Sequence, residues 1–186
     1  MAASDAGATG GEWGDADLEL VARIQAGDED AFEALVARYQ APLFRYLLGF
    51  VGQREQAEDL LQETFLRAFR AIGRLDDPAT LRPWLYRIAH NQACSLLRRR
   101  RLLAWLPLGA QHLPAPPADR SAIEAARTTE ALARLPPELR APLLLHVVAG
   151  FSYAETAALL GVSEGAVRMR ISRGRAAFRA AYEGEE

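Results

Sequence analysis

The chain has 186 residues, half of them apolar and a quarter charged, which allows one domain or two small ones with modest cores. Its formal charge of -2 hides an uneven distribution: residues 1–63 carry 13 acids and four arginines, residues 82–101 carry six arginines and no acid, and residues 164–180 carry five arginines against Glu164 alone. A polyanion meets patches rather than totals, so near-neutrality does not exclude nucleic acid, and the acidic N-terminal half equally suits a basic protein partner.

No apolar run reaches the roughly 18–20 residues that span a bilayer, and no basic stretch followed by an apolar one marks the N-terminus, so a cytoplasmic protein without membrane insertion is expected. Cys94 is the only cysteine, which rules out an intrachain disulfide and suits a reducing compartment. All 22 basic residues are arginine, which reads as compositional bias, although arginine also offers bidentate contacts to phosphates and guanine edges.

Residues 1–16, rich in Ala, Gly and Asp, read as a disordered tail. Helices follow. Leu18, Val21 and Ile24 share a face up to Gly27, and Asp28 can cap the next helix. There Phe32, Leu35, Val36, Tyr39, Leu43, Phe44 and Leu47 form an apolar stripe, with Pro42 as a potential bend. Residues 54–72 predict a third helix lined by Ala57, Leu61, Thr64, Phe65, Ala68 and Ile72, with acids early and Arg67 and Arg70 late, as the helix dipole favours. Gly73 to Thr80, containing Asp77-Pro78, predicts a loop. A fourth helix over about 81–100 carries Leu81, Leu85, Ile88, Gln92 and Leu96 on one stripe and ends in arginines.

Residues 102–120 hold Trp105, Pro107, Pro114, Pro116 and Pro117 and read as a linker, apolar enough near Leu103 to Leu106 to dock on something. A second domain over 121–182 opens with two helices, about 121–134 and 138–149. The predicted fold is all-α: two small helical domains, 17–101 and 121–182, joined by a Pro-rich linker.

The second domain ends in a wingless helix-turn-helix. Ser152 and Glu155 have capping-box spacing, Gly161 supplies the turn, and Ser163 caps a second helix whose buried stripe is Val167, Ile171 and Phe178. Opposite that stripe lie Met169, Ser172 and Arg173, flanked by Arg168, Arg170, Arg175 and Arg179. A helix in a major groove needs this arrangement, with base edges met by Glu164, Gly165, Arg168, Met169 and Ser172 and phosphates by the flanking arginines. The same pattern also fits a helical hairpin whose arginines face only solvent.

Three stretches carry a resemblance. Gln56-Ala-Glu-Asp-Leu-Leu-Gln-Glu-Thr-Phe-Leu-Arg-Ala-Phe69, and Trp84-Leu-Tyr-Arg-Ile-Ala-His-Asn91 followed by Leu96-Leu-Arg-Arg-Arg100, resemble the sigma-2 domain of bacterial RNA polymerase sigma factors. Leu135-Pro-Pro-Glu-Leu-Arg140, with Tyr153 through Arg175, resembles the sigma-4 domain. Their order, the linker between them and the lack of a sigma-3 domain match the extracytoplasmic-function (ECF) subfamily.

The resemblance implies a transcription initiation factor, not an enzyme, whose partners are core RNA polymerase, promoter DNA and an anti-sigma protein. It implies polymerase docking through the third helix, for which exposed Glu58, Asp59, Gln62, Glu63 and Arg67 are the candidates, with Leu61 and Phe65 read as core. It implies capture of the -10 strand by the loop after that helix and the helix beyond, for which Arg74, Arg82, Arg87, His90, Asn91, Arg98 and Arg99 are the candidates. Trp84 fits a stacking role or the core. It implies reading of the -35 element by Glu164, Gly165, Arg168, Met169, Arg170, Ser172, Arg173 and Arg175. Three positions depart from the family: Ala166 stands where threonine is frequent, Ser95 where aspartate is frequent, and Met169 where a polar residue is usual.

The three histidines and Cys94 have no metal-ligand spacing, no phosphate loop follows a strand, and no cofactor or small-molecule substrate is expected. Cys94 reads as a buried thiol or a redox sensor. The alternative function is a stand-alone helix-turn-helix regulator that binds duplex DNA without polymerase.

Overall fold

In a computed structural model, which describes residues 10–103 and 120–184, every regular element is helical. Most of the expected 102–120 linker lies outside the described residues, as do residues 1–9 of the expected tail. The first helix, α1 (Gly10–Gln25), starts within that tail. Glu12, Asp15 and Asp17 sit near its N-terminus, where the dipole favours acids. Asp17 also anchors it, being 4% exposed and bonded to the Tyr39 hydroxyl and to Arg38 at 3.1 Å. Burial holds the Asp17 carboxyl above its usual pKa although both partners pull it down.

Gly27, at φ 90°, turns the chain into α2 (Glu29–Val51), and the Asp28 carboxylate accepts the Ala31 N–H as its cap. The helix runs through Pro42 and buries Leu35, Tyr39, Leu43, Tyr46, Leu47 and Phe50. Next, α3 (Arg54–Ala71) packs beside it, burying Ala57, Thr64 and Ala68. Two short 3-10 turns, Ile72–Arg74 and Pro78–Thr80, form the expected loop, with Asp77 capping the second. Then α4 (Leu81–Leu103) closes the first domain. Its fully buried row is Leu81, Leu85, Ala89 and Ala93, while Ile88 and Leu96 of the expected stripe are only half-buried. Gln92 earns its buried place by donating to the Thr64 hydroxyl at 3.0 Å, and Thr64 in turn donates to the Leu60 carbonyl at 2.7 Å.

The second domain contains α5 (Arg120–Arg134), α6 (Pro137–Leu143), α7 (Tyr153–Leu160) and α8 (Glu164–Glu183). The single helix expected over 138–149 differs: after Leu143 it widens into a π-helical turn, Leu144–Val148, in which the Ala149 N–H reaches back five residues to the Leu144 carbonyl at 2.9 Å. This turn sends Leu144 and Leu145 inward and leaves Val147 and Val148 exposed. Gly174 lets α8 press on α6, since a methyl group there would lie 3.1 Å from the Leu139 carbonyl oxygen.

One apolar core runs through both domains. The end of α2 meets α5, α6 and the π-turn, and α4 meets α7. Arg140, 5% exposed, donates to the carbonyls of Ala133 and Leu135 in its own domain and of Phe50 in the other. Arg82 of α4 donates to the Ala149 carbonyl and lies 4.1 Å over the Phe151 ring, which meets Tyr86 edge-on at 5.0 Å.

Candidate nucleic-acid interface

Local chemistry sets the helix-turn-helix. The Ser152 hydroxyl accepts the Glu155 N–H at 3.1 Å while the Glu155 carboxylate accepts the Ser152 N–H at 2.8 Å, a complete capping box that starts α7. Gly161, at φ 67°, ends α7, and the Ser163 hydroxyl accepts the Ala166 N–H at 3.2 Å to start α8. Val167 and Ile171 are buried, so the other faces of α8 are fixed: Glu164, Gly165, Arg168, Met169, Ser172 and Arg173 are exposed, and Arg170 is half-exposed. Arg168 is held in place by Glu164 and by the Tyr153 ring, 4.3 Å from its guanidinium carbon. Arg175 and Arg179 lie instead on the rim of a groove of about 560 Å³ between α5, the π-turn and α8, floored by Leu132, Leu143, Leu144 and Phe178.

In the first domain, Arg74, Arg87, Asn91, Arg98 and Arg99 are exposed. Arg82 is half-buried and engaged by the second domain. His90 turns inward: its Nδ1 pairs with the Tyr46 hydroxyl at 2.8 Å, its ring stands edge-on to Phe50, and burial lowers its pKa to about 4. Cys94 lies beside His90, and its thiol pKa is raised by burial. Trp84 is half-buried against the core.

Along α3, Glu58, Asp59, Gln62 and Arg67 are exposed and Glu63 is half-exposed, bonded to Arg67 at 2.7 Å. A shallow cleft between α3 and α4 brings Asp59, Glu63 and Arg67 together with Asn91 and Arg99. The sequence reading missed an apolar surface next to it. Leu66 is 51% and Phe69 60% exposed; with Phe32, Gln62 and half-buried Phe65 they line one depression, where Phe69 meets Phe32 edge-on at 5.0 Å. Leucine and phenylalanine at helical spacing read as core, and only the positions of α2 and α4 reveal that this side of α3 is uncovered.

No described helix is long and apolar enough to cross a membrane, and among the described residues no cluster of His, Cys, Asp or Glu could hold a metal ion.

These features define a two-domain helical protein whose second domain presents an arginine-rich reading helix. Residues 35–102 match the model for Sigma-70 region 2, and residues 125–178 match that for Sigma-70, region 4. The chain is 38% identical over 169 residues to the ECF RNA polymerase sigma factor SigM of Mycobacterium tuberculosis, covering 90% of this chain and 85% of that one. It is 33% identical to the RNA polymerase sigma-H factor of Pseudomonas aeruginosa, covering 87% and 91%. Among solved structures, CnrH in complex with the cytosolic domain of CnrY superposes with a TM-score of 0.73 at 32% identity, covering 92% of this chain and all of that one. The chain belongs to the ECF RNA polymerase sigma factors. It is an initiation factor rather than an enzyme: it binds core RNA polymerase and directs it to promoters with -35 and -10 elements.

Proposed function

We propose the following division of labour. The exposed row of α8, Glu164, Gly165, Arg168, Met169, Ser172 and Arg173, reads the -35 element in the major groove, with Arg170 on a phosphate wall. The observation that carries this is the fixed facing of α8: buried Val167 and Ile171 leave that row, and no other, to meet bases. Arg74, Arg82, Arg87 and Asn91 hold the separated -10 strand, and Arg98 and Arg99 grip duplex phosphates. His90 serves the core beneath that surface.

Polymerase docks on α3 through apolar Phe65, Leu66 and Phe69, framed by Glu58, Asp59, Gln62, Glu63 and Arg67. An apolar centre with a charged rim is the usual build of a protein interface. The groove between α5 and α8, apolar within and rimmed by Arg175 and Arg179, suits an amphipathic helix with acidic flanks, supplied by polymerase or by an anti-sigma protein. CnrH, a relative, was solved with the cytosolic domain of CnrY, which supports a cytoplasmic site of action and a separate regulator for this chain.

The test is run-off transcription with purified core polymerase and a genomic fragment library, read by sequencing the start sites. A shared pair of upstream motifs that depends on this protein is expected. No protein-dependent initiation, combined with tight duplex binding in the absence of polymerase, would favour a stand-alone regulator.

A further inference from the structure

The seam between the two domains has features that neither domain needs for itself. Glycine is the least favourable residue short of proline inside a helix, yet Gly49 sits in the interior of α2. Its neighbour across the seam accounts for it: a methyl group at Gly49 would lie 2.8 Å from Leu144 Cδ2 and 3.4 Å from Leu132 Cδ1. Three residues on, a methyl at Gly52 would lie 3.2 Å from the Ala133 Cβ. The end of α2 is thus a notch cut to receive α5 and the π-turn. Buried Arg140 ties the same place by donating across the seam to the Phe50 carbonyl. At the far end, Arg82 donates to the Ala149 carbonyl and stacks on Phe151, which packs on Tyr86. Parting the domains would expose Phe50, Tyr86, Leu144, Leu145 and Phe151, all no more than 1% exposed in this arrangement.

Arg82 stands beside the loop that ends at Thr80, among residues assigned to strand capture, but its guanidinium is occupied by the second domain. We propose that the notch of α2 is a docking surface for the chain's own second domain, and that the docked form withholds Arg82 from single-stranded promoter DNA until the domains are drawn apart. The Arg82 arm rests on the strand-capture reading above; the docking arm does not.

The test uses the full chain, free of polymerase. Leu144 can swing a methyl group aside for alanine, so the wedge is Gly49→Leu, which also improves the helix propensity of α2. Phe151→Ser is an independent lesion at the other end of the seam. Circular dichroism confirms that both variants keep their helices. Small-angle scattering should give the wild-type chain a radius of gyration near the ~16 Å expected of a compact chain of this length, and a clearly larger value for both variants. Hydrogen exchange at Phe50 to Gly52 and at Leu144 to Phe151 should quicken in both. Binding of a short fluorescein-labelled degenerate single-stranded DNA should tighten about tenfold in Gly49→Leu if about a tenth of the wild-type chain is open. Adding Arg82→Ala to Gly49→Leu should remove that gain.

Unchanged radius and protection in both variants would overturn the docking proposal, as would a wild-type mass in light scattering showing that the seam joins two copies. Opening without tighter strand binding, or a gain that survives Arg82→Ala, would overturn the withholding of Arg82. A failure of the wild-type chain to direct core polymerase to promoters would instead strike the functional reading itself.

Discussion

Replacing Arg140 by methionine keeps much of the side-chain volume and removes the guanidinium. In the native chain that group donates to three carbonyls, those of Phe50, Ala133 and Leu135, and is 5% exposed. Hydrogen bonds to a charged group contribute about 1.5–3 kcal/mol each, so three sum to roughly 4.5–9 kcal/mol. Desolvating the cation takes back several kcal/mol of that. Burial lowers the Arg140 pKa, which marks the same opposing effect. The variant leaves three carbonyls without this donor, and the net loss should be about 3–4 kcal/mol. With a urea slope near 2 kcal/mol per molar, the midpoint should fall by about 1.5–2 M. Because one of the three carbonyls belongs to α2, the variant should also unfold in two steps when followed by far-UV circular dichroism. Arg140→Lys, which keeps the charge but not the fork, should fall between the two. A loss below about 1 kcal/mol would refute this account, because it would place Arg140 among ordinary surface residues.

Acid should weaken the fold through His90. Its folded pKa of about 4 lies below the ordinary 6.5, so the unfolded chain takes the proton first. The contribution is intact above about pH 6.5, falls as pH drops, and reaches a loss of about 3 kcal/mol near pH 4. His90→Phe should therefore lose less stability than wild type between pH 7 and about pH 4.5 in urea titrations, and equal losses would reject the burial argument. Ser163→Ala removes the α8 cap and should destabilise that helix start by about 1 kcal/mol, seen as faster hydrogen exchange at Ala166 and Val167. Phe69→Ser should leave the melting temperature nearly unchanged, because the ring is 60% exposed, but weaken core polymerase binding about tenfold. Arg168→Ala should do the reverse, keeping core affinity and lowering binding to promoter duplex about tenfold; equal loss of core affinity in both variants would reject the division between α3 and α8.

The parts of this fold that are local in chemistry are legible in the sequence. Ser152 with Glu155, Gly161 and Ser163 each act within a few residues, so the helix-turn-helix and the outward face of α8 follow from spacing alone. Asp28 and Asp77 announce their caps in the same way. Features that depend on distant partners are not legible. His90 sits three residues after Arg87 and one before Asn91, on a helix rich in cationic and amide groups, and reads as surface until Tyr46 and Phe50 are seen to enclose it. Leu66 and Phe69 read as core until α3 is seen to have an uncovered side. Gly49 and Gly174 look like weak points in helices, and only Leu144 and the Leu139 carbonyl explain them. Arg140 gives no hint in sequence that it is buried.

The π-helical turn at Leu144–Val148 constrains how this chain can change length. A wide turn accommodates one more residue than an α-helical path between the same two ends. Here those ends are fixed, by Pro142 packed in α6 and by Gly150 at φ 73° leading into Phe151. Removing a single residue from the turn would restore α-helical spacing and rotate everything after it by about 100° relative to α6. Leu144 and Leu145, which face the other domain, and Val147 and Val148, which border the groove, would then exchange surfaces or lose both. Loops of this chain can gain or lose residues at little expense, but the five residues of this turn act as a phase spacer whose count must stay as it is.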